Sequence, residues 1–396
     1  MSETLSINEK DLEEDRFSRF DLLHWWDRDK MANANVLVVG AGALGNEILK
    51  NLALLGFRRV VVIDMDDIEA SNLSRSVLFR PENLGQPKAA TAAKAARSIY
   101  EDMVVEPLHA NILHEVGLGL FGWADVILGG LDNREARLWI NRCAWKMNRP
   151  WIDGAIEGLN GVVRTFLPGR PPCYECTLGE TDWAILEKRL SCAMLTREQM
   201  ESGKTPTTPT SSSVIAGMQV QEAVKHIHGL PILDGKGFVF EGLNHTSYVV
   251  SYTENHDCMS HETYEAIIEL PLPSSELTLD DLLARAQQDL ETEQVELNFS
   301  RDIIHKLSCP NCGQEDILFR PMGTVSTSEG TCAHCPESPN RIVHRIHKYS
   351  GREDFGKRNL DRLGLPVFDV YVARSMERET AYLIAGDRKV VLGPLA

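Results

Sequence analysis

The chain has no excess of positive charge: 41 lysines and arginines stand against 57 aspartates and glutamates, a formal net charge of -16. Such a balance argues against a protein whose main business is coating a polyphosphate, so nucleic acid is not an expected partner. Long apolar runs are also missing. No stretch stays apolar far enough to span a bilayer, and the polar, acidic amino terminus has no apolar segment of the secretion-signal kind. These absences predict a cytoplasmic protein with no membrane partner. Internal repeats are absent too. The run "RIVHRIHKYSGREDFGKR" from Arg341 to Arg358 carries most of the positive charge in the tail. That run reads first as a solvated face and second as a surface for an acidic partner.

Cysteine is not scarce. Nine are present, and without a secretion signal they do not read as a disulfide framework. Six of them form three Cys-x-x-Cys pairs, Cys173/Cys176, Cys309/Cys312 and Cys332/Cys335, a spacing that suits metal ligands. Cys143, in "INRCAWKM" with Ile140 and Met147 at helical spacing, reads as core.

A chain of 396 residues has room for two domains, or for one large α/β domain with an appendage. From residue 35 the pattern is βαβ: a strand "NVLVVG", a glycine turn "GAGALG", a helix to about Leu55 and a strand "RVVVID" ending at Asp64. Strands near Val104–Leu108 and at "ADVILGGL" alternate with helices after Pro87 and from Asn133 to Met147. After Trp151 the texture changes to antiparallel strands, "GVVRTFLP" and "GFVFEGLNHTSYVVSYT", around a buried helix "SSSVIAGMQVQEAVKHI". The expected fold is therefore α/β: a Rossmann-like doubly wound sheet, parallel with antiparallel strands in its second half, plus a small zinc-containing α+β appendage at the carboxyl end. We expect an arm over 1–34, the main domain over 35–268, a Pro/Ser-rich linker from Glu269 to Thr278, and the appendage over 277–396 with the helix "LDDLLARAQQDL" and a strand "LPVFDVYVA".

Gly40, Gly42 and Gly45 make a G-x-G-x-x-G between strand and helix, where main-chain N–H groups and the helix amino end meet a phosphate. The motif alone is weak, because a nicotinamide dehydrogenase would use the same turn and the same ribose-binding Asp64. Hydride transfer has no need of the polar cluster at Asn72, Arg75 and Lys88. These residues supply an amide and two cations, a set suited to a pentavalent phosphorus and a leaving pyrophosphate. Asp132, at the end of "VILGGLDN", stands where a carboxylate would hold a magnesium ion.

The motifs "VLVVGAGALGNE", "IDMDDIEASNLSR", "GQPKA" and "LDN" with Arg137 resemble the adenylation domain of ubiquitin-activating enzymes and of the adenylyltransferases of thiamine and molybdopterin biosynthesis. The resemblance runs from about Arg16 to His261. It implies an enzyme of a prokaryotic kind that uses Mg-ATP to adenylate the carboxy-terminal glycine of a ubiquitin-like protein. Asp64 with Asp66 would fix the ribose, and Asn72 and Arg75 would grip the triphosphate. "RFSRF" is similar to the family's amino-terminal arginine stretch, which implies that Arg19 reaches the phosphates of the opposite subunit in a homodimer. Ala43 and Ser76 depart from the glycine and glutamine of many members.

The resemblance also implies a nucleophile. Cys192, in a segment at about 177–212, corresponds to the loop cysteine that takes the acyl group as a thioester before transfer to a conjugating enzyme. Lys188, Arg189 and Arg197 would favour its thiolate. For zinc, the family pattern pairs Cys173 and Cys176 with Cys258 and His261 of "CMSH"; borrowing Cys309 and Cys312 instead is the competing arrangement. The first is preferred, because "CPNC" and "CAHC" make a self-sufficient set of Cys309, Cys312, Cys332 and Cys335 with nineteen residues between the pairs. Both zincs would be structural. A sulfur-carrier adenylyltransferase without a thioester step, a tRNA-nucleoside-modifying enzyme, and a non-catalytic adaptor for a ubiquitin-like protein are the other readings.

Overall fold

The computed structural model describes residues 15–191, 206–326, 328–335 and 340–396. Strands β1 (Asn35–Val39), β2 (Arg59–Ile63), β3 (Val104–Leu108), β4 (Val126–Gly129), β5 (Trp151–Glu157), β6 (Asn160–Phe166), β7 (Lys236–Glu241) and β8 (Thr246–Ser251) form one sheet in the order β3-β2-β1-β4-β5-β6-β7-β8. The first five run parallel and the last three antiparallel, as the change of texture after Trp151 leads one to expect. Strand order reverses between β1 and β4, and ligands of open α/β sheets bind in the crevice outside the carboxyl ends at such a point.

The valine-rich β1 and β2 are buried on both faces, as parallel strands between two layers must be. One layer consists of helices. After the short α1 (Arg28–Asn33) come α2 (Ala43–Leu55) and α3 (Lys88–Ile99), which lie on this face with Val36, Val38, Val60 and Val62. Ala89, Ala92, Ala93 and Ala96 are fully buried and let α3 sit close. The other face meets α4 (Leu118–Trp123) and α5 (Arg134–Lys146). Helices α6 (Glu180–Ser191) and α7 (Pro209–Ile227) come next, the latter completing the first layer.

The second sheet contains β9 (Ile267–Leu270), β10 (Glu296–Ser308), β11 (Glu315–Pro321), β12 (Ile342–Tyr349), β13 (Val370–Arg374) and β14 (Glu379–Ile384). Its order is β11-β10-β13-β14-β9, with β12 paired along β10 from Leu297 to Ser308. Helix α8 (Leu279–Leu290) covers one face through Leu279, Leu282, Leu283 and Leu290; α9 (Arg388–Leu392) closes the chain's last turn. Two expectations need correction. Residues 267–270 pair in parallel with β14, so the second sheet begins before residue 268 and the expected linker opens inside a strand. The Pro/Ser run comes after the strand; it does not precede the domain.

Nor is the second sheet an appendage in the mechanical sense. Phe368, Val370, Val372, Leu383, Leu392 and Leu395 join Leu37, Val39, Val61 and Ile63 in one core. Polar contacts close the joint: Arg301 donates to the carbonyls of Leu113 at 2.8 Å and Val116 at 2.7 Å. Asp369 accepts from the Leu118 N–H at 2.8 Å and the Ser300 hydroxyl at 2.5 Å. The first part of the basic run enters β12: Arg341, just before that strand, and Arg345 and Lys348 on it pair with Asp316, Asp302 and Glu296. No helix among the described residues is long and apolar enough to cross a membrane.

Candidate functional site

β1 delivers the chain into Gly40, whose φ is +96°. A Cβ there would lie 2.5 Å from the Gly130 carbonyl oxygen, and one on Gly45 would lie 1.9 Å from the Gly40 oxygen. Both glycines are demanded by backbone against backbone. Gly42 differs: nothing lies within 4 Å of its missing side chain. It precedes α2, whose first turn has no side-chain cap, so the amides there face an open approach with the positive end of the helix dipole behind them. Asn46, fully buried, holds this turn by donating to the Ala41 and Gly42 carbonyls at 2.7 and 3.0 Å and accepting from the Leu78 N–H at 2.8 Å. Sequence reasoning missed it; a short amide inside an apolar helix stripe was the available signal.

Asp64 ends β2 beside this turn. One carboxylate oxygen accepts from the Ala41 N–H at 2.7 Å and the other from the Asp66 N–H at 2.9 Å. Each retains a lone pair for a further donor such as a ribose hydroxyl. Burial pushes the Asp64 carboxyl up, opposed by the Lys88 charge and the two N–H groups. Lys88 opens α3 with its side chain 11% exposed and its Nζ 2.7 Å from the Asp66 carboxylate. Its N–H also donates to the Asp66 carbonyl at 3.0 Å. Asp66, which the sequence assigned to the ribose, holds Lys88 through one carboxylate oxygen.

The remaining residues come from the segment between β2 and α3. Asn72 is buried in a single turn, Ala70–Asn72, and its side-chain oxygen accepts from the Glu69 N–H at 2.9 Å. Arg75 donates to the Ser71 carbonyl at 2.9 Å. The Ser76 hydroxyl is buried without a partner among the described residues. Asp132, just past β4, is exposed and has no partner among the described residues. Its loop is fixed from below: the buried Arg137 donates to the Leu131 and Gly154 carbonyls and, at 2.9 Å, to Asp153. Asp153 is fully buried. Burial pushes its carboxyl up, but Arg137 and Arg164 more than compensate and hold it below the usual range. Gln219 of α7 adds bonds to the Gly129 and Ile152 carbonyls. Neither Asp153 nor Gln219 stood out in sequence, because each is defined only by partners from distant strands.

Arg19 is exposed with no partner among the described residues, while the neighbouring Arg16 is tied to the Ile99 carbonyl at 2.6 Å and lies over Tyr100. Cys192 and Arg197 lie outside the described residues. The described chain on either side is anchored: Asp182 of α6 pairs with Arg134 at 2.7 Å, and Gly158 donates to Pro206 at 2.7 Å.

The cysteines assemble in two quartets. The ligand atoms of Cys173, Cys176, Cys258 and His261 lie within 4.8 Å of one another, and so do those of Cys309, Cys312, Cys332 and Cys335. Sγ pairs are 3.8 Å (Cys173, Cys176), 3.5 Å (Cys173, Cys258) and 3.7 Å (Cys312, Cys332) apart, and Cys176 Sγ is 3.3 Å from His261 Nε2. Zn–S bonds of about 2.3 Å in a tetrahedron put sulfurs about 3.8 Å apart, so both donor sets fit zinc. The first quartet is braced: Arg142 grips Glu175 with two bonds of 3.1 Å, Ser260 donates to the same carboxylate, and Trp145 stacks on His261 with centroids 4.5 Å apart.

Over 149 residues, 37% of its length, this chain is 41% identical to the SUMO-activating enzyme subunit uba-2 of Caenorhabditis elegans, of which that match covers 26%. Over 156 residues it is 41% identical to the NEDD8-activating enzyme E1 catalytic subunit of Arabidopsis thaliana, covering 36% of this chain and 34% of the relative. The chain thus matches about a quarter to a third of the length of these curated relatives. In fold it resembles E. coli MccB, solved with ATP, at a TM-score of 0.52 and 23% identity over 63% of this chain and 74% of that one. The ThiF family matches residues 15–260, the span that holds the glycine turn, the Asp64 to Lys88 segment and most of the first quartet, and the chain belongs to that family.

Proposed function

We propose that the chain activates a ubiquitin-like protein: with Mg-ATP it adenylates the carboxy-terminal glycine, then takes the acyl group as a thioester on Cys192 for transfer to a conjugating enzyme. The observation that carries the reading is Lys88, a nearly buried cation at the carboxyl edge, 2.7 Å from Asp66 and within electrostatic reach of Asp64. A hydride-transfer site has no use for such a cation, whereas phosphoryl chemistry gains most from a charge held in low dielectric. Support at the family level comes from the activating-enzyme subunits that are 41% identical to this chain over 149 and 156 residues.

In this reading the glycine carboxylate attacks the α-phosphate, the bond to the β-phosphate breaks, and pyrophosphate leaves as the acyl adenylate forms. Asp64 binds the ribose with Asp66, which also acts through Lys88. The amides at Gly42 and the side chains of Asn72, Arg75 and Lys88 meet the phosphates, the cations exchanging their present partners for phosphate oxygens. Asp132, exposed and unpaired among the described residues, would hold magnesium, which supplies charge neutralisation when bound. The Cys192 thiolate then attacks the acyl carbon and AMP departs with the bonding electrons. Arg19, likewise exposed, would serve the other site of a homodimer. The two quartets would hold structural zinc, since four protein ligands leave no open position.

The test mixes the full chain with ATP, magnesium and a ubiquitin-like protein ending in glycine, and tracks pyrophosphate exchange and intact mass for wild type and Cys192→Ala. Exchange with a thiol-sensitive adduct that the mutant lacks is the expected result. Exchange without an adduct would remove Cys192 and favour the sulfur-carrier reading. Absence of exchange under saturating partner would overturn the enzyme reading in favour of an adaptor.

A further inference from the structure

The second quartet has beside it a guanidinium that its surroundings leave half used. Arg341 stands at the start of β12, and its backbone N–H donates to the Gly330 carbonyl at 2.8 Å, close in sequence to Cys332. The side chain is 7% exposed. Nη1 donates to Asp316 at 2.6 Å, but Nε and Nη2, both buried, have no partner among the described residues. Arg341 and Cys332 wall one cavity of about 300 Å³, together with Asp316, Glu329 and His334. The guanidinium is held above its usual range by its bond to Asp316 first, with lesser help from Cys332 and Cys309.

Buried donors seldom stay unmade. A small anion in the cavity is the obvious partner, but Asp316 and Glu329 line the same walls and would repel it. The quartet offers a better one. Four thiolates around one divalent ion carry about two net negative charges, and sulfur accepts from N–H donors.

We infer that Arg341 is the charge-compensating partner of a zinc centre at Cys309, Cys312, Cys332 and Cys335, its Nε–H and Nη2–H donating to the thiolates. The inference rests on the zinc reading of that quartet. Arg341 is a positioning residue: it touches no substrate and tunes the metal through its ligands, as outer-shell donors do. The first quartet has less need of such a cation, because His261 lowers its charge by one thiolate.

The test is zinc competition with a chromophoric chelator on the full chain, with cobalt substitution as a spectroscopic readout. Wild type should hold two zinc ions. Arg341→Gln should weaken one of them by about 10- to 100-fold and shift the thiolate-to-cobalt band of that site only. Arg341→Lys should fall between, keeping the charge without the fork. Asp316→Asn, which leaves Nε and Nη2 in place, should stay within about twofold of wild type, and it keeps the question decidable if the glutamine variant does not fold. Wild-type affinity and an unchanged cobalt spectrum in both arginine variants would overturn the inference, as would a loss in Asp316→Asn equal to that in Arg341→Gln. A wild-type chain that binds one zinc, unaffected by Cys309→Ser, would instead overturn the zinc reading beneath it.

Discussion

The two faces of the eight-stranded sheet are covered from different parts of the chain. On one, α2, α3 and α7 lie against Val36, Val38, Val60 and Val62, and the same helices present the glycine turn and Lys88. The other takes α4 and α5 together with Phe368, Val370 and Leu383, some 250 residues beyond the segment they complete. The first face gathers the candidate site from neighbours in sequence. The second supplies stability from a sheet that sequence reading treats as an appendage. Damage to the two faces should therefore have different symptoms, and the contrast can be broken or sharpened in order of effect.

The largest effect belongs to Gly45→Ala. Its Cβ would meet the Gly40 oxygen at 1.9 Å, so the turn must open and nucleotide binding should fall by on the order of 100-fold, read as the ATP dissociation constant. Next is Lys88→Met, nearly isosteric and uncharged: pyrophosphate exchange should drop by about 100- to 1,000-fold with little change in melting temperature. If that variant instead lost stability and kept exchange, the helix face would be structural and the contrast would fail.

On the second face the symptoms reverse. Asp369→Ala strands the Leu118 N–H and the Ser300 hydroxyl, and should cost about 2–3 kcal/mol in thermal or urea unfolding while exchange by the surviving fold stays near wild type. Arg301→Met removes the bonds to the Leu113 and Val116 carbonyls and the contact with the Trp139 ring at 4.6 Å. We expect a smaller loss of about 1–2 kcal/mol, since carbonyls find water more readily than a carboxylate's donors do.

The smallest effect concerns pH. His114 lies in the same joint, next to Gly323, and burial first, with Arg301 second, takes its imidazole down to about 4. The folded state keeps it neutral while the unfolded chain binds a proton below the ordinary 6.5. Its contribution is therefore complete above about pH 6.5 and fades as pH falls toward about 4. Melting temperature should drop across that window by less in His114→Gln than in wild type; equal slopes would place the acid sensitivity elsewhere.

Much of the first sheet was legible. "NVLVVG" and "RVVVID" became β1 and β2, and the glycine turn fell between them, because a parallel strand is a short local pattern with a fixed continuation. Helix α8 was legible to the residue through its leucine spacing, whereas Thr278, read as the end of the linker, is its cap. β10 was not read as a strand, although its residues alternate in burial. Arg301 and Asp302 interrupt the apolar rhythm, and only the joint explains Arg301. β9 was hidden by the proline run just after it.

The site divides in the same way. Sequence alone determined the residue types at the carboxyl edge and the three Cys-x-x-Cys pairs, because turns, helix starts and metal knuckles are written over a few consecutive positions. Cys258 and His261 were expected only from the resemblance, and the structure brings them to Cys173 and Cys176. Only the tertiary structure decided that Asp66 holds Lys88, that Arg137 is spent on Asp153, that Asn46 ties the turn to Leu78, and that Arg341 stands beside the second quartet with two donors unmade. It also made the second sheet a layer of the core. These are pairings across tens to hundreds of residues, set by which strands lie side by side, and neither composition nor local periodicity carries that information.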